Sequence, residues 1–458
     1  MKNISLLALF VGSCVVSVPS RAQDVLGLKE VWGKVENNYP GIQFKDAHIQ
    51  SLKIDSVLLI SKYLPKVNAQ FQNSYSTYTG TNGAFYPQAG LFNVSGSATS
   101  INGVDETFNA FGSVVGSWDV FQFGKKSIEK NIANLEIKKS YEDYASYILA
   151  LKADVTRRYL EQVYQYESLG WSTQNINRLQ EILEITKTLA ISGLKPTADT
   201  LLAASAYQLV LADKDAVQSN YLASDYYLKL YLGTVNDEPL ELEKAAFLKG
   251  FQGNVLYTDS AFVNPALKYQ QLHQEGFLLK KKNSNRSLFP SLALLGGFST
   301  RSVGIYPNGF VSNSWKNGFD NIANNYMVGL GLRWDITNLY VGKKEAKKYQ
   351  ALELSAAKAY DEVKLKDETS RKASLAQLNE LRRQLEKSKL SVEQAREAYE
   401  MYFTRYESGL MNLTELLQIQ GQLQQTEKAY LDASKKYWFQ VVVFAQLNGD
   451  FNNLFDKF

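Results

Sequence analysis

Four short stretches of the chain alternate between apolar and polar residues. They follow Pro65, surround Ser113, follow Pro290 and begin at Tyr326. A period of two is typical of strands whose two faces meet different surroundings. The mainly apolar side carries Val67, Ala69, Phe71, Tyr75, Val114, Trp118, Val120, Leu292, Leu294, Phe298, Tyr326, Val328, Leu330, Leu332, Trp334 and Ile336. We predict two pairs of strands, joined by Gly/Asn/Ser-rich loops over 80–106 and 301–324.

Between the strands the pattern changes to the period of a helix. No proline interrupts Lys125–Ile191, which predicts one helix of about 67 residues, or about 100 Å. Shorter helices are predicted at Gly41–Tyr63 and from Pro265 to about Phe289, and two return helices are predicted to end at Gly233 and Gly449. Steps of three and four, typical of coiled coils, separate Tyr144, Ile148, Leu151 and Val155, and likewise Leu378, Leu381, Leu385, Ser388 and Val392.

The same elements occur twice along the chain. Gly193 and Gly409 occupy matching helical turns that lie 216 positions apart (409 − 193). Nearer the start of each copy the offset is 225 (290 − 65), as between Pro65 and Pro290. We therefore predict an internal repeat, with one copy at 23–250 and the other at 251–458. Each copy has the order helix, strand, loop, strand, long helix, turn and return helix.

The two glycine turns separate each long helix from its return helix. They lie within Ile191–Leu202 and Tyr406–Leu417. Gly409 can adopt a positive φ at no steric cost, and Asn412 or Thr414 can cap the helix that follows. Each segment is therefore predicted to be the tip of a long helical hairpin.

Composition excludes several classes of function. The formal net charge is only +4, with no basic stripe, so no nucleic-acid partner is indicated. The chain has no Gly-rich phosphate loop and no nucleophile–base pair, so we expect neither an enzyme nor a cofactor. The only two histidines, His48 and His273, obey the 225 offset. We favour two solvated helix positions over a metal site, because no second ligand lies at helical spacing.

The first residues resemble a secretory signal. Lys2, the apolar stretch Ile4–Val18 and a cleavage site after Ala22 predict a signal peptide at 1–22. A lipoprotein signal at Cys14 is the less favoured alternative, since the apolar run continues past it. Cleavage after Ala22 would leave no cysteine. No later run of about 18 apolar residues occurs, which leaves a secreted soluble protein or a β-barrel.

The strands favour the barrel. An apolar row that ends in a tryptophan, such as Trp334, is typical of a lipid-facing strand, although a half-buried strand of a soluble sandwich shares the alternation. Four strands are too few to close a barrel, and an open sheet edge is not tolerated in lipid. We therefore predict an oligomer, and three copies would supply twelve strands around a water-filled pore.

Over nearly the whole mature sequence, the chain resembles the TolC-type outer-membrane efflux proteins. The resemblance rests on Tyr39-Pro40 and Asn264-Pro265 before the shorter helices, on Gly124-Lys125 and Gly342-Lys343 at the strand-to-helix joints, and on the two Gly-Leu tips. It implies a homotrimer in the outer membrane, with a twelve-stranded β-barrel continuous with a long periplasmic α-helical barrel. It also implies a passive exit duct that serves an inner-membrane transporter through a periplasmic adaptor. The alternative is a non-porous structural or adhesive coiled-coil protein.

The resemblance also implies roles for residues of the tips. The adaptor-docking positions match Ser192, Gly193, Leu194, Ser408, Gly409 and Leu410, and the periplasmic gate matches Asp199, Tyr406 and Glu415. For Asp199 and Glu415, simple stabilisation of a helix N-terminus is an equally weighted interpretation. Met411 stands where a basic gate residue is expected and Gln418 where a second carboxylate is expected, so the usual salt-bridge latch is in doubt. The exported substrate and the class of pump are not indicated.

Overall fold

A computed structural model describes residues 25–77, 100–248 and 262–458. Within these ranges the chain forms two compact units, each assembled from both halves of the sequence. The sheet unit comprises the described residues within 45–145 and 265–365, and the helical unit those within 1–44, 146–264 and 366–458. The expected signal peptide, Cys14 and most of the first strand loop lie outside the described residues. The division into copies at 23–250 and 251–458 stays a prediction.

The element order runs helix, two strands, long helix and return helix, and then the same series again. An additional helix, α1, precedes the first series, and a short helix, α8, follows the second. The bounds are α1 (Leu28–Asn38), α2 (Pro40–Ser61), β1 (Lys66–Thr77), β2 (Glu106–Phe121), α3 (Lys125–Ile191), α4 (Thr197–Leu232), α5 (Pro265–Arg286), β3 (Ser291–Val303), β4 (Ala323–Arg333), α6 (Asn338–Glu407), α7 (Leu413–Asn448) and α8 (Asn452–Phe455).

The four strands of the sheet unit form one antiparallel sheet in the order β1-β2-β3-β4. Each inner strand pairs on both sides, so β1 and β4 are the edges. A register shift between Asp119 and Phe121 interrupts the pairing of β2 with β3. A short 3-10 helix, Trp315–Phe319, lies between β3 and β4.

The two faces of the sheet differ in polarity, as the alternation predicts. One cross-strand row runs Ala69, Val114, Phe298 and Tyr326 through all four strands. The neighbouring row, on the other face, runs Gln70, Ser113, Ser299 and Asn325, and the Gln70 amide donates to the Ser113 hydroxyl (3.0 Å). Phe298 and Tyr326 are exposed to solvent in the single chain. These two neighbouring rows therefore place apolar side chains on one face and polar side chains on the other, across all four strands.

The start of the first long helix is as predicted. Gly124 has a φ of +81°, and α3 begins at the next residue, Lys125. It continues for 67 residues to Ile191, with no break at Gly170. A positive φ just before the helix explains why glycine occupies this position.

The start of the second long helix differs from the prediction. Strand β4 ends at Arg333 and α6 begins at Asn338, so Gly342 lies inside the helix rather than at its start. The cause is a turn at Asp335, whose carboxylate accepts the Thr337 N–H (3.1 Å) and whose carbonyl accepts the Asn338 N–H (3.2 Å). An aspartate that bonds the backbone two residues on starts such turns. Trp334 and Ile336 consequently lie beyond the strand.

The return helices have the predicted ends. Gly233 and Gly449 adopt φ values of +71° and +68°, and each follows a return helix of 36 residues. Such left-handed caps satisfy the last carbonyls of a helix. None of the helices in the described ranges has an apolar stretch long and uncharged enough to cross a membrane.

Candidate functional site

Each long helix is joined to its return helix by a short turn, at 192–196 and at 408–412. Gly193 and Gly409 adopt φ values of +70° and +74°. The N–H of the following residue, Leu194 or Leu410, bonds a carbonyl five residues back, at 2.9 and 3.0 Å. This is the hydrogen-bond pattern of a Schellman C-cap. The two tips therefore end their long helices in the same way.

The return helices start differently at the two tips. At the second tip, the Asn412 side chain accepts the Glu415 N–H (2.8 Å), so Asn412 is the cap and Thr414 is not. At the first tip the N-cap is Pro196, which has no side-chain bond to offer. The Asp199 N–H bonds the Pro196 carbonyl instead (3.0 Å).

All six predicted docking residues are exposed. Leu194 and Leu410 are 70 % and 72 % exposed, whereas the serine hydroxyls of Ser192 and Ser408 bond carbonyls of their own helices (2.9 and 3.0 Å). Exposure of a leucine side chain to water is unfavourable in free energy. Burial of that side chain against another molecule would remove the cost. Each tip thus presents one apolar side chain on a turn whose polar side chains are already satisfied.

Beneath the turns lies a buried apolar cluster with side chains from α3, α4, α6 and α7. Its centre includes Tyr406, which is fully buried and shares a hydrogen bond of 2.8 Å with the Thr186 hydroxyl. Burial raises the pKa of the Tyr406 phenol, and the Asp199 charge raises it further, whereas the Thr186 bond lowers it. The buried members are Ile176, Leu179, Ile182, Leu183, Ala203, Val210, Tyr399, Phe403, Tyr406, Met411, Leu413, Leu416 and Leu423.

One side chain connects the two turns directly. The Lys195 ammonium donates to the main-chain carbonyl of Met411 (2.8 Å) and lies 5.7 Å from the ring centroid of Tyr406. The Met411 side chain is uncharged and is buried in the apolar cluster. It therefore cannot supply the basic group that the resemblance leads us to expect at this position. Sequence reasoning identified Met411 as unusual but missed Lys195. The available signal was that Lys195 is the 216-offset counterpart of Met411 (411 − 195).

The three candidate gate residues differ in their exposure. Tyr406 is inside the apolar cluster, Asp199 is half-buried in the first turn of α4, and Glu415 is exposed in the first turn of α7. Both acids are placed where the helix dipole favours negative charge. Gln418 is also exposed, one turn after Glu415.

A charged network lies in the helical unit beyond this cluster. The Glu427 carboxylate of α7 is 5 % exposed and accepts hydrogen bonds from Arg178 of α3, through both guanidinium Nη atoms, and from Arg396 of α6 (3.2 Å). Asn175 adds a bond between its side-chain oxygen and Arg178 (2.7 Å). Three helices are therefore joined at one buried carboxylate.

The histidines lie in the shorter helices. His48 is exposed, and His273 is half-buried at 4.8 Å from the Phe277 ring. Within the described ranges, no group of three or more His, Cys, Asp or Glu is placed to hold a metal ion.

These elements are those of a known class of membrane protein. The chain belongs to the outer membrane efflux protein family, whose family model matches residues 58–234 and 263–449. The matched segments include all four strands and both tips. The protein is therefore an outer-membrane efflux component that extends into the periplasm, as the sequence predicts, and its family consists of channels rather than enzymes.

Individual relatives are more distant. The chain is 24 % identical over 358 residues to Nodulation protein T of Rhizobium leguminosarum bv. trifolii. The aligned segment covers 76 % of this chain and 73 % of that protein. Among solved structures, it is similar to the outer-membrane channel OprN (TM-score 0.71, 14 % identity, covering 92 % and 89 % of the two chains). It is also similar to VceC of Vibrio cholerae (TM-score 0.72, 12 % identity, covering 93 % and 96 %). These structural likenesses concern the fold.

Proposed function

We propose that three copies of this chain form a passive channel through the outer membrane. The observation that carries this proposal is the pair of neighbouring rows that cross all four strands. The row through Val114 and Phe298 is apolar, and the row through Ser113 and Ser299 is polar. Strands of 11 to 16 residues reach or exceed the length of about nine to eleven residues that a bilayer requires. The apolar face would contact lipid and the polar face would line a water-filled lumen.

The sheet edges support an oligomer. Among the residues that the structure describes, the strands β1 and β4 each pair with only one neighbour. Unpaired backbone groups are costly in lipid, so β1 of one copy would pair with β4 of the next until the barrel closes. Three copies supply twelve strands, which leave room for water.

Helix α4 also supports an oligomer. A row of exposed positions with steps of three and four residues follows one side of the helix over most of its length. The row consists of Leu201, Ser205, Leu209, Ala212, Ala216, Ser219, Ala223, Tyr226 and Leu230. This spacing is that of a coiled-coil seam, and its small residues permit close approach of another helix. We refer to this row as the outer seam of α4, and in the trimer a helix of a neighbouring copy would cover it.

The tips would dock a periplasmic adaptor, which in turn would couple the channel to an inner-membrane transporter. Leu194 and Leu410 are the apolar anchors, and Ser192, Gly193, Ser408 and Gly409 form the exposed turns around them. A helical hairpin of the adaptor would bury both leucines in its grooves. Energy for export would come from the transporter, and the channel itself would be passive.

The tips would also form the gate. Asp199, Tyr406 and Glu415 remain our candidates, with Glu415 as a ring of three carboxylates that favours cations at the narrowest point. Replacement of Asp199 and Glu415 by Ala should raise the single-channel conductance in planar bilayers. An unchanged conductance would remove both acids from the gate and leave them as helix N-terminal residues.

The proposal is tested by the mass and conductance of the complex extracted from outer membranes in mild detergent. We expect a trimer that conducts ions when it is inserted into a planar bilayer. A monomer, or a trimer that does not conduct, would overturn the channel and favour a non-porous coiled-coil scaffold. Such a scaffold would have no use for the polar row that contains Gln70 and Ser113.

A further inference from the structure

A lysine of the first turn is hydrogen-bonded to the backbone of the second turn, in addition to the apolar cluster packed beneath both. Lys195 comes directly before the N-cap of α4, and Met411 comes directly before the N-cap of α7. The Lys195 ammonium nevertheless bonds the main-chain carbonyl of Met411, at 2.8 Å. The donor belongs to the first turn and the acceptor to the second, so any separation of the two turns must break this bond.

The ammonium is positioned from several sides. The backbone N–H of Lys195 bonds the Leu189 carbonyl (3.3 Å). The residue after Lys195 is Pro196, whose ring restricts its φ, here −64°. The ring of Tyr406 lies 5.7 Å from the ammonium, and its hydroxyl is bonded to Thr186 in the buried cluster. These two contacts, from Thr186 to Tyr406 and from Tyr406 to Lys195, therefore connect the buried cluster with the surface turn.

Only the first turn contributes a side chain to the Lys195–Met411 hydrogen bond. Met411 has no donor in its side chain, which is 8 % exposed and packed in the apolar cluster. The second turn therefore contributes only a backbone oxygen, and the first turn contributes the only charge. A carbonyl acceptor cannot be removed by mutation or by protonation at ordinary pH, so the strength of the link is set by residue 195.

We propose that Lys195 is the latch that keeps the second tip closed against the first in the resting channel. The inference rests on the proposed channel function. In the closed state the ammonium holds the Met411 carbonyl and faces the Tyr406 ring. An opening movement of the second tip away from the first releases the ammonium to water. The latch does not require the salt bridge for which Met411 and Gln418 lack the expected charges.

The test uses full-length protein reconstituted into planar bilayers, with Lys195→Met as the main variant. Methionine keeps a long unbranched side chain but supplies neither charge nor donor. The matched control is Lys187→Met, which removes the same charge from an exposed position on α3 that forms no hydrogen bond or ion pair among the described residues. Lys195→Arg, which keeps a cationic donor, is the rescue variant.

We expect the ratio of open to closed time to rise about tenfold in Lys195→Met, which corresponds to about 1.4 kcal/mol. Lys187→Met and Lys195→Arg should remain near the wild-type ratio. The readout is taken per inserted trimer, so a loss of assembly alone would not change it. A wild-type ratio in Lys195→Met would overturn the latch.

Two further outcomes are distinguishable. If Lys195→Met is not recovered as a trimer, Lys195→Gln gives the same test, since a neutral amide loses the charge and shortens the reach. A wild-type ratio in that variant would also overturn the latch. If the wild-type protein itself does not conduct, the proposed channel fails, whereas conduction with an unaltered gate in both variants removes only the role of Lys195.

Discussion

The indole N–H of Trp334 donates to the main-chain carbonyl of Leu288 (3.1 Å), and Trp118 makes the matching bond to Tyr63 (2.9 Å). Each acceptor lies two residues before a proline that directly precedes a strand. Each donor lies at the far end of the partner strand or just beyond it. The two bonds therefore tie the last residues of one strand to the turn that starts its neighbour.

Replacement of Trp334 by Phe should weaken this connection. Phenylalanine keeps an aromatic ring but is smaller than indole and has no N–H donor. Beyond the effect of the smaller ring, we expect a destabilisation of about 0.5–1.5 kcal/mol, as for one hydrogen bond of modest exposure. The measurement is urea unfolding of the detergent-solubilised protein. Trp315→Phe is the control, because Trp315 is exposed and its indole donates no hydrogen bond among the described residues. Equal effects of the two substitutions would contradict the connection.

Substitution of two glycines by alanine should have opposite effects. Gly409 has a φ of +74°, where an L side chain is strained, so Gly409→Ala should destabilise by about 1–2 kcal/mol. Gly421 is exposed within α7, and an added Cβ there meets nothing within 4 Å. Gly421→Ala should therefore stabilise by about 0.5–1 kcal/mol. The same unfolding measurement gives both signs, and a loss of stability at both positions would exclude this explanation.

A single charged substitution can test whether the outer seam of α4 is a subunit interface. Leu209→Glu keeps helix propensity nearly constant, so its effect should come from the surface and not from the helix. We expect a large loss of trimer in mild detergent, because three carboxylates would be buried without partners. Gln218→Glu adds the same group at an exposed position of α4 outside the seam. A trimer that survives Leu209→Glu unchanged would place the subunit interface elsewhere.

The helices and turns can be predicted from the sequence where a single local preference determines the structure. Periodicity predicts α3 from Lys125 to Ile191, and the positive φ at Gly193 and Gly409 follows from glycine chemistry. The early start of α6 was missed because the turn at Asp335 competes with strand continuation, and the strand pattern runs on through it. The 216 offset pairs Lys195 with Met411, but it does not predict their hydrogen bond, since the acceptor is a backbone oxygen, which every residue type supplies.

The buried carboxylate of Glu427 should be costly to neutralise. Glu427→Gln leaves Arg178 poorly paired at a site where removal of one partner of a buried pair costs about 3–5 kcal/mol. Arg396 is more exposed and can return to water, so its share of the loss should be small. Glu386→Gln is the control: its pair with Arg382 is exposed and should contribute about 0–1 kcal/mol. Similar losses in the two variants would show that the network is not buried in the assembled protein.

His273 should make stability depend weakly on pH. Burial lowers the pKa of its imidazole, the charge of Lys139 lowers it further, and Glu136 opposes the shift. The folded state therefore holds fewer protons than the unfolded state near the ordinary pKa of 6.5, so this contribution is complete above that value and is lost as the pH falls. Between about pH 7 and pH 5, wild type should therefore lose more stability than His273→Gln, and the difference should be small because water screens the half-exposed ring. His48→Gln is the control for removal of an exposed histidine, and unfolding curves at the two pH values that are parallel for wild type and His273→Gln would contradict the prediction.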